Sequence, residues 1–177
     1  ARVLSNPGVD VLRQWLAEPE GGAFAGLEPT RQAAVLYGAV LSASWLEQAA
    51  AARTLLARLQ AVVQGDVPAL RQAQLLAAEV ELAAGRAAQA VRLVPPGKGR
   101  PELLLRTQAR LQAMQTGTPP APGAVQEWAS PLQTWVANHP HDAGAWQALA
   151  GVWHAQGKVL RAVRAEAEAQ VARSDDA

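Results

Sequence analysis

The side chains best suited to metal or acid–base chemistry are the three histidines His139, His141 and His154. His139 and His141 flank Pro140 and precede Asp142, so a metal bound there would need another ligand from a distant part of the chain. Tight metal sites need converging ligands that neighbouring side chains hold in place. The sequence offers no such set, and it predicts a solvated turn here with no metal bound.

No residue or motif is a stronger candidate for nucleophilic catalysis or for binding a cofactor. Cysteine is absent, which excludes disulfides and cysteine-ligated metals. Serines and threonines are scattered without a basic partner, and the Gly-Lys-Gly-Arg segment at residues 97–100 follows two prolines rather than a strand. We therefore predict that this chain has no catalytic residues and no cofactor.

Four of the six tryptophans form two pairs with a spacing of seven residues, Trp128 with Trp135 and Trp146 with Trp153. Seven residues are about two helical turns, so a pair on one helix shares a face. One interpretation is an aromatic patch that binds a peptide. Because aromatic side chains dominate interior packing, we favour the alternative, a core between helices.

Composition favours helices and argues against nucleic acid as a partner. Half of the residues are hydrophobic, and alanine, leucine, glutamine and arginine recur without strand-type runs. The 16 basic and 15 acidic residues are interspersed, which leaves no basic patch for nucleic acid. No apolar stretch reaches the roughly 18 residues of a membrane span. The chain begins at Ala1 without a leader sequence, and we expect a fragment whose export signal and any catalytic domain lie elsewhere.

Proline, glycine and capping residues divide the chain into about nine predicted helices. Asn6-Pro7 opens the first, and residues 19–27 form a flexible connector before the helix that Pro29 starts. Residues 44–47 have the form of a capping box, and Ser130-Pro131 is a second start signal for a helix that reaches Asn138. Further interruptions are predicted at Gly65, Gly85, residues 95–97, residues 117–123 and Gly157. Short joints between helices are typical of antiparallel hairpins.

A 34-residue period, that of tetratricopeptide repeats, fits the chain best when Ala143 is position 1. Small residues then fall where the two helices of a hairpin cross, at Ala150 and Ala162, and large ones where neighbouring units meet, at Trp146, Leu149 and Trp153. Glu166 departs from the pattern, because its position is normally large and apolar. Frames starting at Arg31 and Arg71 match less fully, and residues 101–140 match least.

The sequence thus predicts an all-α fold, a right-handed tetratricopeptide-like α-solenoid of about four helical hairpins over residues 28–177. Residues 1–27 would be a helix and connector from a preceding domain. In such arrays the first helix of each hairpin lines a concave groove, here with Gln32, Gln72, Leu75, Glu79, Thr107, Gln147 and His154. The predicted function is non-catalytic binding of a peptide or partner protein. The alternative is a structural lid or dimerisation element.

Three segments carry a resemblance to a known family: residues 1–10, Leu36-Tyr37-Gly38-Ala39 and residues 135–168. In their order they resemble the C-terminal region of periplasmic zinc metallopeptidases of the β-barrel-assembly-enhancing protease type. The resemblance implies a periplasmic location, zinc in the parent protein, and partners among outer-membrane-protein assembly machinery or unfolded substrates. The family's HExxH motif is not present in this sequence, so none of its catalytic residues can be assigned here.

Overall fold

The computed structural model describes residues 8–118 and 120–174, and this part of the chain is helical without a strand. Its nine α-helices are α1 Val9–Ala17, α2 Pro29–Trp45, α3 Ala49–Val62, α4 Val67–Ala83, α5 Ala87–Leu93, α6 Arg100–Gln115, α7 Ala124–Asn138, α8 Ala143–Ala155 and α9 Val159–Ser174. The all-α prediction is confirmed. The predicted start at Asn6-Pro7 lies outside the described residues.

Among the helices described, none is long and apolar enough to cross a lipid bilayer.

The chain divides into two compact units, Ala1–Arg86 and Ala87–Ala177. In the first unit, α2 packs on α1 and α3, and α3 packs on α4. Its core includes the fully buried side chains of Leu36 and Val40. Because α1 packs on α2, the described residues before position 28 belong to this unit.

The segment predicted as a flexible connector contains two 3-10 turns, Glu18–Glu20 and Phe24–Gly26. Side chains from two helices hold it. Arg58 Nη2 donates a hydrogen bond to the Pro19 carbonyl at 3.0 Å. Gln32 Nε2 donates to the Leu27 carbonyl at 2.9 Å. The segment is therefore a tethered part of the first unit, which the proline and glycines alone did not indicate.

In the second unit, α8 forms an antiparallel hairpin with α9 and also packs on α6 and α7. Leu149 is fully buried in the core, and Ala150 and Ala162 are both 0% exposed. Small side chains at these two positions let the helices approach closely. α5 completes the unit by packing on α6.

Gly85 and Gly157, like Gly117 after α6, end their helices with the same turn. Gly85 and Gly157 have φ of 75° and 70°, in the left-handed region that favours glycine. The residue after each glycine donates its N–H to a carbonyl five residues back, Arg86 to Glu81 and Lys158 to Trp153, both at 2.8 Å. This is the Schellman arrangement that satisfies the last carbonyls of a helix.

Asp66 and Asp142 cap helices through their side chains. The Asp66 carboxylate accepts from the Ala69 N–H at 3.0 Å, at the start of α4. That of Asp142 accepts from the Ala145 N–H at 3.1 Å, at the start of α8.

Two predicted helix starts are wrong. Ser44 lies in the last turn of α2, and α3 begins at Ala49 after a residue that makes no side-chain cap. The chain leaves α2 after Ser44, at Glu47, whose φ is 58°. Pro131 lies inside α7, which already begins at Ala124.

Candidate functional site

An open groove of about 380 Å³ lies between α6 and α8 in the second unit. Next to it, Gly151 lets α8 approach α6 closely. A Cβ atom placed on Gly151 would lie 3.0 Å from Leu111 Cδ1 of α6. The groove is lined by Leu104, Thr107, Gln108, Leu111, Gln112, Gln115, Gly144, Gln147 and Ala148. We call this surface the glutamine groove.

The glutamine groove combines apolar and amide side chains and has no charged residue in its lining. Leu104 and Leu111 provide apolar surface, and four glutamines surround it. An amide side chain both donates and accepts hydrogen bonds, as a peptide backbone does. Gln108 and Gln147 are exposed, and Gln147 Oε1 accepts from Arg173 Nη2 at 3.3 Å. The groove therefore offers hydrogen bonds without a charge preference.

Two of the predicted groove residues, Thr107 and Gln147, meet in the glutamine groove. Thr107 is 3% exposed and its hydroxyl donates to the Leu103 carbonyl at 2.8 Å, so it forms part of the groove floor. His154 is not in the groove lining. Its Nε2 lies 2.9 Å from Glu166 Oε1, and both side chains are about half exposed. The contact with His154 gives Glu166 a polar partner at a repeat position that is normally large and apolar.

The first unit holds the other four predicted groove residues. Gln32 is engaged with the segment before α2, as described above. Gln72 and Glu79 are exposed on α4, two turns apart. Leu75 is 3% exposed and belongs to the core, which corrects its assignment to an open groove surface. Helix α4 packs on both α2 and α3, so a leucine at this position is enclosed.

Glu79 and Tyr37 lie close enough to interact. Although part of the Glu79 side chain is exposed, partial desolvation of its carboxyl raises the pKa of that group above its usual value. Burial also raises the pKa of the Tyr37 hydroxyl, and the charge of Glu79 raises it further. The two groups form a partly desolvated polar pair on the surface of the first unit.

The turn between α7 and α8 is organised by Asp142, a role that the sequence alone did not reveal. Its carboxylate accepts from Arg100 Nε and Nη2 at 2.7 and 2.9 Å, and from Trp135 Nε1 at 2.8 Å. Together with the cap on Ala145, these contacts join α6, α7 and α8. The hydrogen bond from Arg100 is the main cause of a pKa of about 2 for Asp142, and those from Trp135 and Ala145 contribute.

The histidines of this turn have structural contacts. The His139 ring stacks on Trp135, with centroids 4.0 Å apart and planes 12° apart. Within residues 8–118 and 120–174, no group of three or more histidine, aspartate or glutamate side chains is placed to hold a metal ion.

The tryptophan pairs each lie on one helix, α7 or α8, as their spacing indicates. Trp128 and Trp153 are each 8% exposed, which confirms their assignment to the core. Trp135 and Trp146 are partly buried, and each indole N–H has an acceptor: the Asp142 carboxylate for Trp135 and the Pro140 carbonyl, at 2.8 Å, for Trp146.

No family model matches the chain, and no curated protein matches it. A functional proposal therefore depends on the residues and their geometry.

Proposed function

We propose that this chain is a non-catalytic module that binds an extended peptide or a segment of a partner protein. The glutamine groove carries the proposal. It is open, Leu104 and Leu111 give it apolar surface, and its rim is formed by amide groups that can pair with a peptide backbone. Recognition modules of this kind gain affinity from a few buried contacts and orientation from hydrogen bonds.

The proposed architecture is a tetratricopeptide-like array. The α8–α9 hairpin supports it, because its small crossing residues and its terminating Gly157 fall at the repeat's expected positions. In such an array α6 and α8 would be the first helices of consecutive hairpins, the helices that line the binding face. The exposed Gln72 and Glu79 on α4 would be the corresponding contacts in the first unit.

The resemblance to periplasmic zinc metallopeptidases suggests a setting for this module. The chain would recognise substrates or outer-membrane-protein assembly partners, while a separate zinc domain of the parent would perform hydrolysis.

The groove can be tested with peptides selected from a random 12-residue phage library on the whole chain. We expect the double variant Gln108→Ala/Gln147→Ala to weaken the selected peptides by tenfold or more, about 1.4 kcal/mol. The variant's stability should stay within about 1 kcal/mol of the wild type, since both side chains are exposed. Titration calorimetry gives the affinities and urea unfolding gives the stabilities.

The matched control is Gln126→Ala/Gln170→Ala, which removes two exposed glutamines outside the groove. It should bind like the wild type. A folded groove variant that keeps full affinity would place binding on another surface. The variant Gln72→Ala/Glu79→Ala then tests the first unit separately.

A second candidate function, a packing or dimerisation element, is favoured by α9. Leu160, Val163 and Val171 are 88%, 53% and 58% exposed on this one helix. Isolated exposed apolar residues are common, but several on one helix are typical of a contact surface.

For this candidate we expect self-association of the wild-type chain, which Leu160→Glu/Val163→Glu abolishes. Sedimentation velocity across a range of concentrations measures it. Val67→Glu is the control, because Val67 is 78% exposed and lies outside α9. A wild-type chain that stays monomeric at all concentrations contradicts self-association.

A further inference from the structure

A second pocket, of about 560 Å³, lies beside the neighbouring face of α6, between α6, α7 and the loop that follows α5. Its lining combines cationic and aromatic side chains, among them Lys98, Arg106, Arg110, Trp128, Trp135 and His139. We call it the cationic pocket.

Two arginines of the cationic pocket are held in place by neutral groups. Arg106 Nη2 donates to the Pro95 carbonyl at 2.8 Å, which fixes the guanidinium against the loop. The Arg110 guanidinium lies over the Trp128 ring, 5.3 Å from its centroid. Burial lowers the pKa of Arg110, and the charge of Arg106 lowers it further. Desolvation and mutual repulsion of this kind would be relieved by a bound anion.

Among the described residues, no aspartate or glutamate lines the cationic pocket, and neither Arg110 nor Lys98 forms an ion pair. Glu127 attracts Arg110 but does not line the pocket. The Asp142 carboxylate accepts a hydrogen bond from Trp135, which lines the pocket, but it is already paired with Arg100.

The rest of the lining indicates the kind of anion. Leu103, Pro131 and the two tryptophans give the pocket an apolar wall. The Trp128 ring is buried beneath Arg110 and the Trp135 ring is stacked on His139, which leaves poor surfaces for a nucleobase. A carboxylate fits the planar guanidinium groups, and an adjoining apolar side chain fits the wall.

We propose that the cationic pocket binds an acidic peptide segment, with a carboxylate at Arg110 and Lys98 and a neighbouring apolar side chain against Leu103 and Pro131. This site lies beside the glutamine groove and shares only the buried Thr107 with its lining, and it does not depend on peptide binding there.

The test is a calorimetric titration with the blocked peptide acetyl-Gly-Leu-Glu-Glu-Leu-Gly-amide and with its analogue in which both glutamates are glutamine. We expect the acidic peptide to bind at least tenfold more tightly, and less tightly as NaCl rises, because salt screens the charges. In the variant Lys98→Gln/Arg110→Gln, most of the difference in affinity between the two peptides should disappear. In Gln108→Ala/Gln147→Ala the difference should remain.

The chain offers a matched control, because Lys98 and Lys158 are its two lysines. Lys158→Gln/Arg31→Gln removes the same charge outside the pocket and should bind within twofold of the wild type. Arg110→Lys should bind more tightly than Arg110→Gln if charge is decisive. If Arg110→Gln does not fold, Lys98→Gln alone, at an exposed loop position, should weaken the acidic peptide at least threefold.

Equal binding of the two peptides would overturn the proposal, as would a folded double variant with unchanged affinity. Binding of inorganic phosphate without binding of the acidic peptide would also overturn it, since the site would then serve a small anion.

Discussion

Replacing Trp153 by alanine is expected to lower the free energy of unfolding by about 3–5 kcal/mol. The side chain is 8% exposed and lies in the core of the second unit with Leu149 and Ala162. Alanine would remove most of the apolar area that this indole buries and leave a cavity between helices. Urea unfolding followed by far-ultraviolet circular dichroism measures the loss without depending on tryptophan fluorescence.

Trp45→Ala is the control for this experiment. Trp45 is 47% exposed at the end of α2, so its loss should cost no more than about 1 kcal/mol. Equal losses in the free energy of unfolding for the two variants would contradict the assignment of Trp153 to the core. The alternative interpretation of the tryptophan pairs, an aromatic patch for peptides, would then be preferred.

The second large effect is expected at Asp142. Asp142→Ala removes the cap of α8 together with the acceptor for Arg100 and Trp135, and we expect a loss of about 2–4 kcal/mol at neutral pH. Asp142→Asn keeps a capping oxygen but loses the charge. Its free energy of unfolding should therefore fall less, by roughly 1–2 kcal/mol, because solvent screens the charge of the half-exposed Arg100. Asp66→Ala, at the single cap of α4, is the control and should cost about 1 kcal/mol.

The stability that the ionised Asp142 contributes depends on pH in a defined direction. The pKa of Asp142 falls from an ordinary 3.8 to about 2 in the folded chain, so the folded state favours the ionised form. The resulting stability is fully present above pH 3.8 and disappears as pH falls through 2. The stability difference between wild type and Asp142→Asn should therefore shrink on acidification. A difference that stays constant between pH 7 and the acid limit would contradict this assignment.

Much of the helical layout was predictable because single residues decide it. Gly85 and Gly157 end helices since few other residues adopt their backbone geometry, and Asp66 and Asp142 cap helices through contacts three residues away. The two wrong helix starts were predicted from residues that occur both at the start of a helix and inside one. Ser44 precedes a helix interruption but lies inside α2, and a proline such as Pro131 is tolerated in a helix that starts earlier.

The candidate sites were predictable only in part, because they depend on distant residues. The repeat positions predicted that Thr107 and Gln147 face a groove, and both line the glutamine groove, whose role in binding stays a prediction. They also placed Leu75 there, although contacts from α2 and α3 enclose α4 at that position. The pairing of Arg100 with Asp142 spans 42 residues, and no local pattern indicates it. The same holds for the cationic pocket, whose lining comes from three separate segments.

The turns at Gly85 and Gly157 have a consequence for the stereochemistry of the chain. Their positive φ is a disfavoured region for L-residues but an ordinary one for the mirror-image D-residues. Glycine serves there because ribosomal synthesis provides no residue of opposite handedness, and it leaves the unfolded chain with extra freedom. A D-alanine introduced by chemical ligation at either position would keep the turn and restrict that freedom, whereas L-alanine would strain the turn.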